Sequence, residues 1–405
     1  MKIFSILLLA SSALAAPGFG TFVSQYENDG GRSLSGGRKG GEGGGTIVDR
    51  LRDDKRFSRF VQVLERERGL RDDLDNRDKE TTVFAPTNEA FKRFEDEWRN
   101  RRAYDDEDKE EWIRQALKYH IAPDSQIAGD ALHAGALIPT NLRLRELGDR
   151  HQRVRVFRFA GDVWLNMHAR IVEKDLEAEN GRIHAIDNVL HPPRHATEML
   201  YTLPTEFSTF LAALERTELA DKLDQHHGVT VFAPSNRAWK NVGFENLKYL
   251  FSCVGQRQGG EKGKGGKGGD YEQPTCQGLT DLKKIIKYHV ATDVAYSTDM
   301  MQKKELQLKT FEGQTVTIRA KHRQDRGRGD EDEDTDREWS SIFSHRRKHD
   351  EEHGGHHDVR RYHFTINDGE ARISFTDGLA RNGAIQVIDN VMIPKDVKLP
   401  HDQYL

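Results

Sequence analysis

Several things are scarce in this chain of 405 residues, and each scarcity narrows what it can be. Beyond the first residues no segment approaches the roughly eighteen apolar residues of a membrane-spanning helix, so no transmembrane segment is expected. Neither sign of charge is in excess. The formal net charge is -4 and the basic stretches are interleaved with acids, which removes any global pull toward nucleic acid. No N-x-S/T triplet occurs, so N-glycosylation is excluded. No G-x-S-x-G, H-E-x-x-H, P-loop or dinucleotide-binding glycine pattern is present, and the expectation is a chain without catalysis and without a cofactor. Apolar residues make up 36% against 32% charged, low for one compact globule and in keeping with two ordered cores carrying solvated insertions.

Cysteine is rarer still. Cys253 and Cys276 are the only two, and they bracket a Gly/Lys-rich stretch. In an oxidising compartment such a pair reads as a disulfide closing that loop, stabilising by roughly 3 kcal/mol on the chain-entropy picture; two free thiols are the alternative. An oxidising compartment is suggested by residues 1–16, where Lys2, an apolar run and the small Ala13 and Ala15 have the form of a secretory signal peptide. Residues 17–45 then read as a flexible, Gly-rich leader. The closing KLPHDQYL has neither a hydrophobic GPI-type tail nor a retrieval signal. The expected location is the secretory pathway, ending outside the cell or in its wall, with the vacuole lumen as the alternative.

What the chain does have is repetition. TVFAPTNEAF at 82–91 returns as TVFAPSNRAW at 230–239, KYH at 118–120 returns at 287–289, and NGRIHAIDNVLHP from Asn180 returns as NGAIQVIDNVMIP from Asn382. The phrases keep their order, while the separation between counterparts grows along the chain. The second copy therefore holds extra residues, located near 255–275 and 321–358, in stretches too polar to fold alone. Two repeats of ordinary domain size are expected.

Each phrase has a physical reading. Thr82, Val83 and Phe84 suit a strand, Pro86 ends its ladder, and Thr87, or Ser235 in the second copy, is placed to cap a helix. Ile113, Ala116, Leu117 and His120 fall at helical spacing, as do Leu282, Ile285, Ile286 and His289, so each histidine closes an apolar stripe beside Tyr119 or Tyr288. A catalytic base or a metal ligand could stand there, but the expectation is a shielded, hydrogen-bonded core ring. In the third phrase Ile183 and Ala185 are separated from Val189 by the turn-formers Asp187 and Asn188, which predicts two short strand runs opened by an Asn180-Gly181 turn. His184 is Gln386 in the second copy, so it is not expected to carry a chemistry common to both.

The second insertion is read as holding a cluster of His345, His349, His353, His356, His357 and His363, at spacings that could retain Zn, Cu or Ni weakly; a solvated polyampholyte is the alternative. The acidic run Asp330, Asp332, Asp334, Asp336 begins like an EF-hand, but Thr335 stands at the glycine position and Ser341 at the twelfth, which rejects that site.

Taken in order, T-V-F-A-P-[TS]-N-x-A-[FW], a helix-ending Y-H and N-G-x-I-x-x-I-D-N-V-[LM] resemble the fasciclin-like (FAS1) domain, twice over about 46–194 and 195–396, leaving 397–405 as a tail. The resemblance implies an α+β fold in each unit, a wedge of two short β-sheets with packed helices, used in secreted or surface proteins for adhesion, matrix or cell-wall contact. It implies protein, glycan or membrane-surface partners. The signal, leader and insertions look like those of fungal members, some of which are vacuolar. An Asp-Ile pair that serves integrin contact in animal members falls here on Asp175 and Leu176, and on Asp377 and Gly378 in the second copy, where the apolar side chain is lost. A turn-forming Asp beside a core Leu is the plainer reading of the first pair.

Overall fold

Thr46 opens the first helix of the computed structural model, which describes residues 44–99, 106–159, 161–252, 276–303, 305–322 and 362–400. Its hydroxyl accepts from the Asp49 amide while the Asp49 carboxylate accepts from the Thr46 amide, a reciprocal cap that satisfies two otherwise unpaired helix-start donors. The chain divides into two compact units, with the described residues parting between Pro193 and Arg194.

In the first unit three short helices, α1 (Ile47–Asp53), α2 (Ser58–Leu64) and α3 (Arg68–Asp75), precede β1 (Thr81–Pro86). Then come α4 (Asn88–Arg99), α5 (Asp106–Tyr119), β2 (Ile121–Pro123), β3 (Leu137–Leu144), β4 (Arg150–Phe159), β5 (Asp162–Leu165), β6 (Ala169–Ala178) and β7 (Gly181–Ile186). The strands follow the order β2-β1-β7-β6-β5-β4-β3. All six residues of β1 are buried, as expected of a strand covered on both faces, and it runs parallel to β7 with Thr81 opposite Gly181 and Pro86 opposite Ile186. Core side chains of the three leading helices, among them Ile47, Phe60 and Leu74, together with Phe57 just before α2, pack with Val83, Ala85, Leu117 and Ile183.

β6 hands the ladder from one half of the wedge to the other. Its first residues, Ala169 and Arg170, pair with β5, and from Ile171 onward it pairs with β7 across two register shifts. Each shift bends the strand and increases its twist, so the unit's seven strands form one continuous, bent sheet where the family resemblance implied two short ones.

The second unit repeats the plan. α6 (Ala196–Tyr201), α7 (Pro204–Arg216) and α8 (Ala220–Gln225) precede β8 (Val229–Pro234), followed by α9 (Asn236–Asn241), α10 (Phe244–Phe251), α11 (Gln277–Tyr288) and β9 (Val290–Ala291). α12 (Ser297–Gln302), β10 (Leu306–Lys309), β11 (Thr315–His322), β12 (Tyr362–Ile366), β13 (Ala371–Ala380) and β14 (Gly383–Ile388) complete it. The strand order, β9-β8-β14-β13-β12-β11-β10, matches the first unit strand for strand.

Three local expectations change. The third phrase forms one strand, not two: β7 stops at Ile186 because Asp187 donates its amide to the Arg170 carbonyl and accepts the Arg170 amide at 2.8 Å, closing the ladder there. Val189 is buried without being in a strand. Lys321 and His322, which composition assigns to an insertion, belong to β11 and pair with His363 and Tyr362 of β12. Val397 and Leu399, expected in a tail, are buried. Residues 255–275 and 323–358, with the five candidate metal-ligating histidines, lie outside the described residues, as does the signal segment.

Candidate functional site

The two phrase histidines are the natural place to look for chemistry. His120 ends α5 with 2% of its surface exposed; its Nδ1 lies 2.7 Å from the Ala116 carbonyl, and its Nε2 accepts the Leu190 amide at 2.9 Å. His289 ends α11 in the same way, with Nδ1 2.8 Å from the Ile285 carbonyl and Nε2 accepting the Met392 amide at 3.1 Å. An acceptor on one side and a donor on the other require the neutral ring protonated at Nδ1. Burial favours that neutral form and pushes both rings down to about 4. Each ring faces a phenylalanine, Phe60 in one unit and Phe210 in the other, at centroid distances of 6.1 and 6.2 Å. Both nitrogens are occupied and the rings are sealed from solvent, so neither histidine can take a substrate proton or a metal without the fold opening.

The neighbouring tyrosines are structural in a related way. Tyr119 donates its hydroxyl to the Arg153 carbonyl at 2.7 Å and accepts from Asn166 Nδ2 at 2.8 Å, while Tyr288 accepts from Asn367 Nδ2 at 2.9 Å. Both asparagines have positive φ, 52° and 47°, in the tight turns after β5 and β12, a conformation asparagine tolerates better than most residues. These two turn residues were not evident in the sequence; their segments, LNMHAR and INDGEAR, differ in length.

Asn180 and Gly181 do more than turn the chain. Asn180 is buried, accepts the Ile47 amide at 2.8 Å and donates to the carbonyls of Leu74 and Asn76 at 2.8 and 2.9 Å, tying α1 and α3 to β7. Asn382 does the same for the second unit, accepting the Ala196 amide and donating to the Leu223 carbonyl. The glycines that follow are compelled by close approach, since a Cβ on Gly181 would meet the Thr81 carbonyl oxygen at 1.8 Å and one on Gly383 the Val229 oxygen at 2.0 Å.

His184 and Gln386 fill one position with two chemistries and the same pair of bonds. His184 Nε2 lies 2.8 Å from the Ile127 carbonyl and its Nδ1 accepts the Asp175 amide at 3.2 Å. Gln386 donates to the Ala295 carbonyl at 2.9 Å and accepts the Asp377 amide at 3.0 Å. The acidic residue in each bulge, Asp175 or Asp377, has φ 59° and pins the facing loop, through the Gly129 amide at 2.9 Å or the Ser297 amide at 2.7 Å. Asp377 is buried, whereas the Asp175 side chain is 38% exposed and paired with Arg182 at 3.1 Å. Leu176 is half-buried against the core of its unit. The candidate contact pair is thus partly committed to holding the fold.

The surfaces differ more than the interiors. Phe244, at the start of α10, is 76% exposed beside an open groove of about 560 Å³ lined by Ala212, Leu247 and Phe251 together with Ser208, Thr209 and Lys248. In the first unit the residue corresponding to Thr209 is Arg59, whose guanidinium pairs with Glu95 at 2.7 Å. Both Thr209 and Arg59 are fixed by the same asparagine contact, the backbone amide donating to Asn236 or Asn88. Among the described residues no three His, Cys, Asp or Glu side chains gather as metal ligands. No helix of the described residues is long and apolar enough to cross a membrane. Cys276 precedes α11, and its expected partner Cys253 is not among the described residues.

The chain is similar in sequence to known proteins. The family profile for the fasciclin domain matches residues 55–192, 205–258 and 271–394. Aurofusarin biosynthesis cluster protein S of Gibberella zeae is 28% identical over 261 residues, 63% of this chain and 56% of its own. Transforming growth factor-beta-induced protein ig-h3 of Sus scrofa is 35% identical over 150 residues, 37% of this chain and 20% of its own. The chain thus spans about half the length of the first relative and a fifth of the second. A solved FAS1 domain pair from the insect cell adhesion molecule Fasciclin I is 18% identical, with a TM-score of 0.35 over 84% of this chain and 98% of its own. With the profile matching both units and the phrases that define them occupying equivalent places in each, the chain belongs to the fasciclin family.

Proposed function

We propose that this chain is a non-enzymatic binding module that works outside the cytosol, in adhesion or in contact with matrix or cell wall. One observation carries the reading. The side chains that the two phrase copies share, His120 and His289, Tyr119 and Tyr288, Asn180 and Asn382, are engaged in holding each unit together. What is free to meet a partner is the outer surface, where the copies diverge. Asp175 and Leu176 in the first unit, and the Phe244 surface in the second, are its candidate contacts. The partner is of protein, glycan or membrane-surface class, and the signal peptide at 1–16 delivers the chain to it.

Expression of the full chain with a C-terminal fluorescent tag, its N-terminus intact, tests this. Fluorescence in the medium or cell-wall fraction is the expected result. A cytosolic signal contradicts the proposal, and a vacuolar signal moves its site of action while leaving the binding role intact.

A further inference from the structure

The two units hold the same bulge and loop with different chemistry, and only one of the two side chains, the imidazole of His184, can take up a proton. In the first unit neutral His184 needs a lone pair on Nδ1 to accept the Asp175 amide, and its other nitrogen holds the Ile127 carbonyl. The loop at 124–129 has further ties, among them the Ser125 amide donating to the Glu80 carbonyl at 3.0 Å. The Thr82 hydroxyl donates to the Ser125 carbonyl and accepts the Ile127 amide, both at 2.8 Å, and Asp175 accepts the Gly129 amide. We infer that His184 is a proton-sensitive latch, whose protonation releases the Asp175–Leu176 bulge from β7 and loosens the 124–129 loop that Asp175 holds.

An imidazolium has two N–H donors and no acceptor. Once His184 is charged, its Nδ1–H faces the Asp175 N–H, and one bond becomes a donor–donor clash. The charged groups around the ring are Asp175 and Lys174 from β6 and Arg182 from β7; β1 contributes the stacked Phe84 ring, 5.7 Å away. Burial, the largest effect, opposes the cation; the Ile127 carbonyl and the Asp175 carboxylate favour it, Arg182 and Lys174 oppose it, and the ring titrates below its ordinary range. The latch is therefore closed at neutral pH and opens on acidification. Gln386 makes both bonds with an amide that does not titrate, and the second unit keeps its bulge at any pH where it stays folded. The inference rests on the binding-module reading only for its use: a contact pair at Asp175 and Leu176 would change its presentation between a neutral and an acidic surrounding.

Hydrogen exchange on the full chain, with protection factors corrected for intrinsic rates, tests the latch independently of any partner. From pH 7.5 to pH 5, protection at 124–130 and 173–178 should fall roughly three- to tenfold more than at the matching segments 292–298 and 375–380, the factor carried by one hydrogen bond. His184→Gln should abolish that excess while preserving protection at neutral pH, because the glutamine is already accommodated at the equivalent position. The reciprocal Gln386→His should impart acid sensitivity to 375–380. Equal loss in wild type and His184→Gln overturns the inference. So does an absence of excess loss in the wild type. If His184→Gln fails to fold, Gln386→His decides, and no gain of acid sensitivity at 375–380 refutes the latch.

Discussion

Among the described residues the first unit buries two imidazoles, His120 and His184, and half-buries a third, His168, where the second buries one. His120 has its counterpart in His289, but His184 is replaced by Gln386, and His168, after the turn that follows β5, is replaced by Glu370, which accepts the Ile393 amide at 2.7 Å and an Asn367 donor at 2.8 Å. His168 is pushed down to about 4 by burial, and its Nε2 is shielded without a hydrogen-bond partner. The copies also differ where strands turn. β4 and β5 join through residues 160 and 161, while the equivalent β11 and β12 join through 323–361, yet the pairing runs to the strand ends in both, Phe159 with Asp162 and His322 with Tyr362. What both copies keep is scaffold; what one alters is free to vary. The chain thus provides its own comparison, and at His184 and Gln386 it shows one pair of structural bonds made by two different side chains.

The strongest way to break the equivalence is at the glycines. Gly181→Ala and Gly383→Ala would each force a methyl into a backbone carbonyl of the paired parallel strand, and each should cost its own unit more than about 4 kcal/mol, read as loss of that unit's protection in hydrogen exchange. A smaller, one-sided effect is expected from reduction. With both cysteines in the second unit, breaking a Cys253–Cys276 bridge should cost that unit roughly 3 kcal/mol and leave the first untouched; two alkylatable thiols in the unreduced, denatured protein would remove the bridge altogether.

Acid should separate the units next. Rings held near 4 in the fold titrate near 6.5 when unfolded, so the unfolded chain binds more protons between those values, and the stability they contribute is complete above about 6.5 and lost as pH falls toward 4. Each such ring should cost roughly 2 kcal/mol by pH 5. The first unit carries two of them plus the lowered His184, against one in the second, and should be the first to melt as pH is lowered. Asp187, raised by burial, works in the opposite direction, but only in the carboxylate range. Equal acid sensitivity would show that the imidazoles are not what distinguishes the units. The smallest effect belongs to the surface. Arg59→Thr, which copies the second unit, removes an ion pair with both partners more than two-fifths exposed and should change stability by less than about 0.5 kcal/mol in thermal unfolding.

Much of the scaffold was legible because its signals are local. A β-branched run ended by proline, a Thr or Ser cap and an apolar stripe closed by histidine each depend on residues within two turns, and β1, α4, α9 and the buried His120 and His289 follow from them. The parallel pairing of β1 with β7 was not legible, since the partner lies far along the chain and no local pattern names it. Asn180 and Asn382 read as turn residues for the same reason: their partners are on helices that precede the strand they follow. Their recurrence before glycine in both copies was the available clue. Lys321 and His322 were misplaced because an exposed strand end has the composition of an insertion. The candidate contact pair was legible as a position, but not as a bulge, because positive φ at Asp175 is set by the register of β6 against β7.

That the shared residues are architecture and not chemistry is tested most directly by replacing the histidines one at a time. His120→Ala and His289→Ala each remove a ring with two hydrogen bonds and leave a cavity, so each should destabilise its own unit by roughly 2 to 4 kcal/mol. Unfolding followed unit by unit, beside binding to isolated cell walls, should show binding lost only in proportion to the folded protein lost. A His120→Ala protein with wild-type stability and no binding or activity would contradict this, and would place the histidine in a working site.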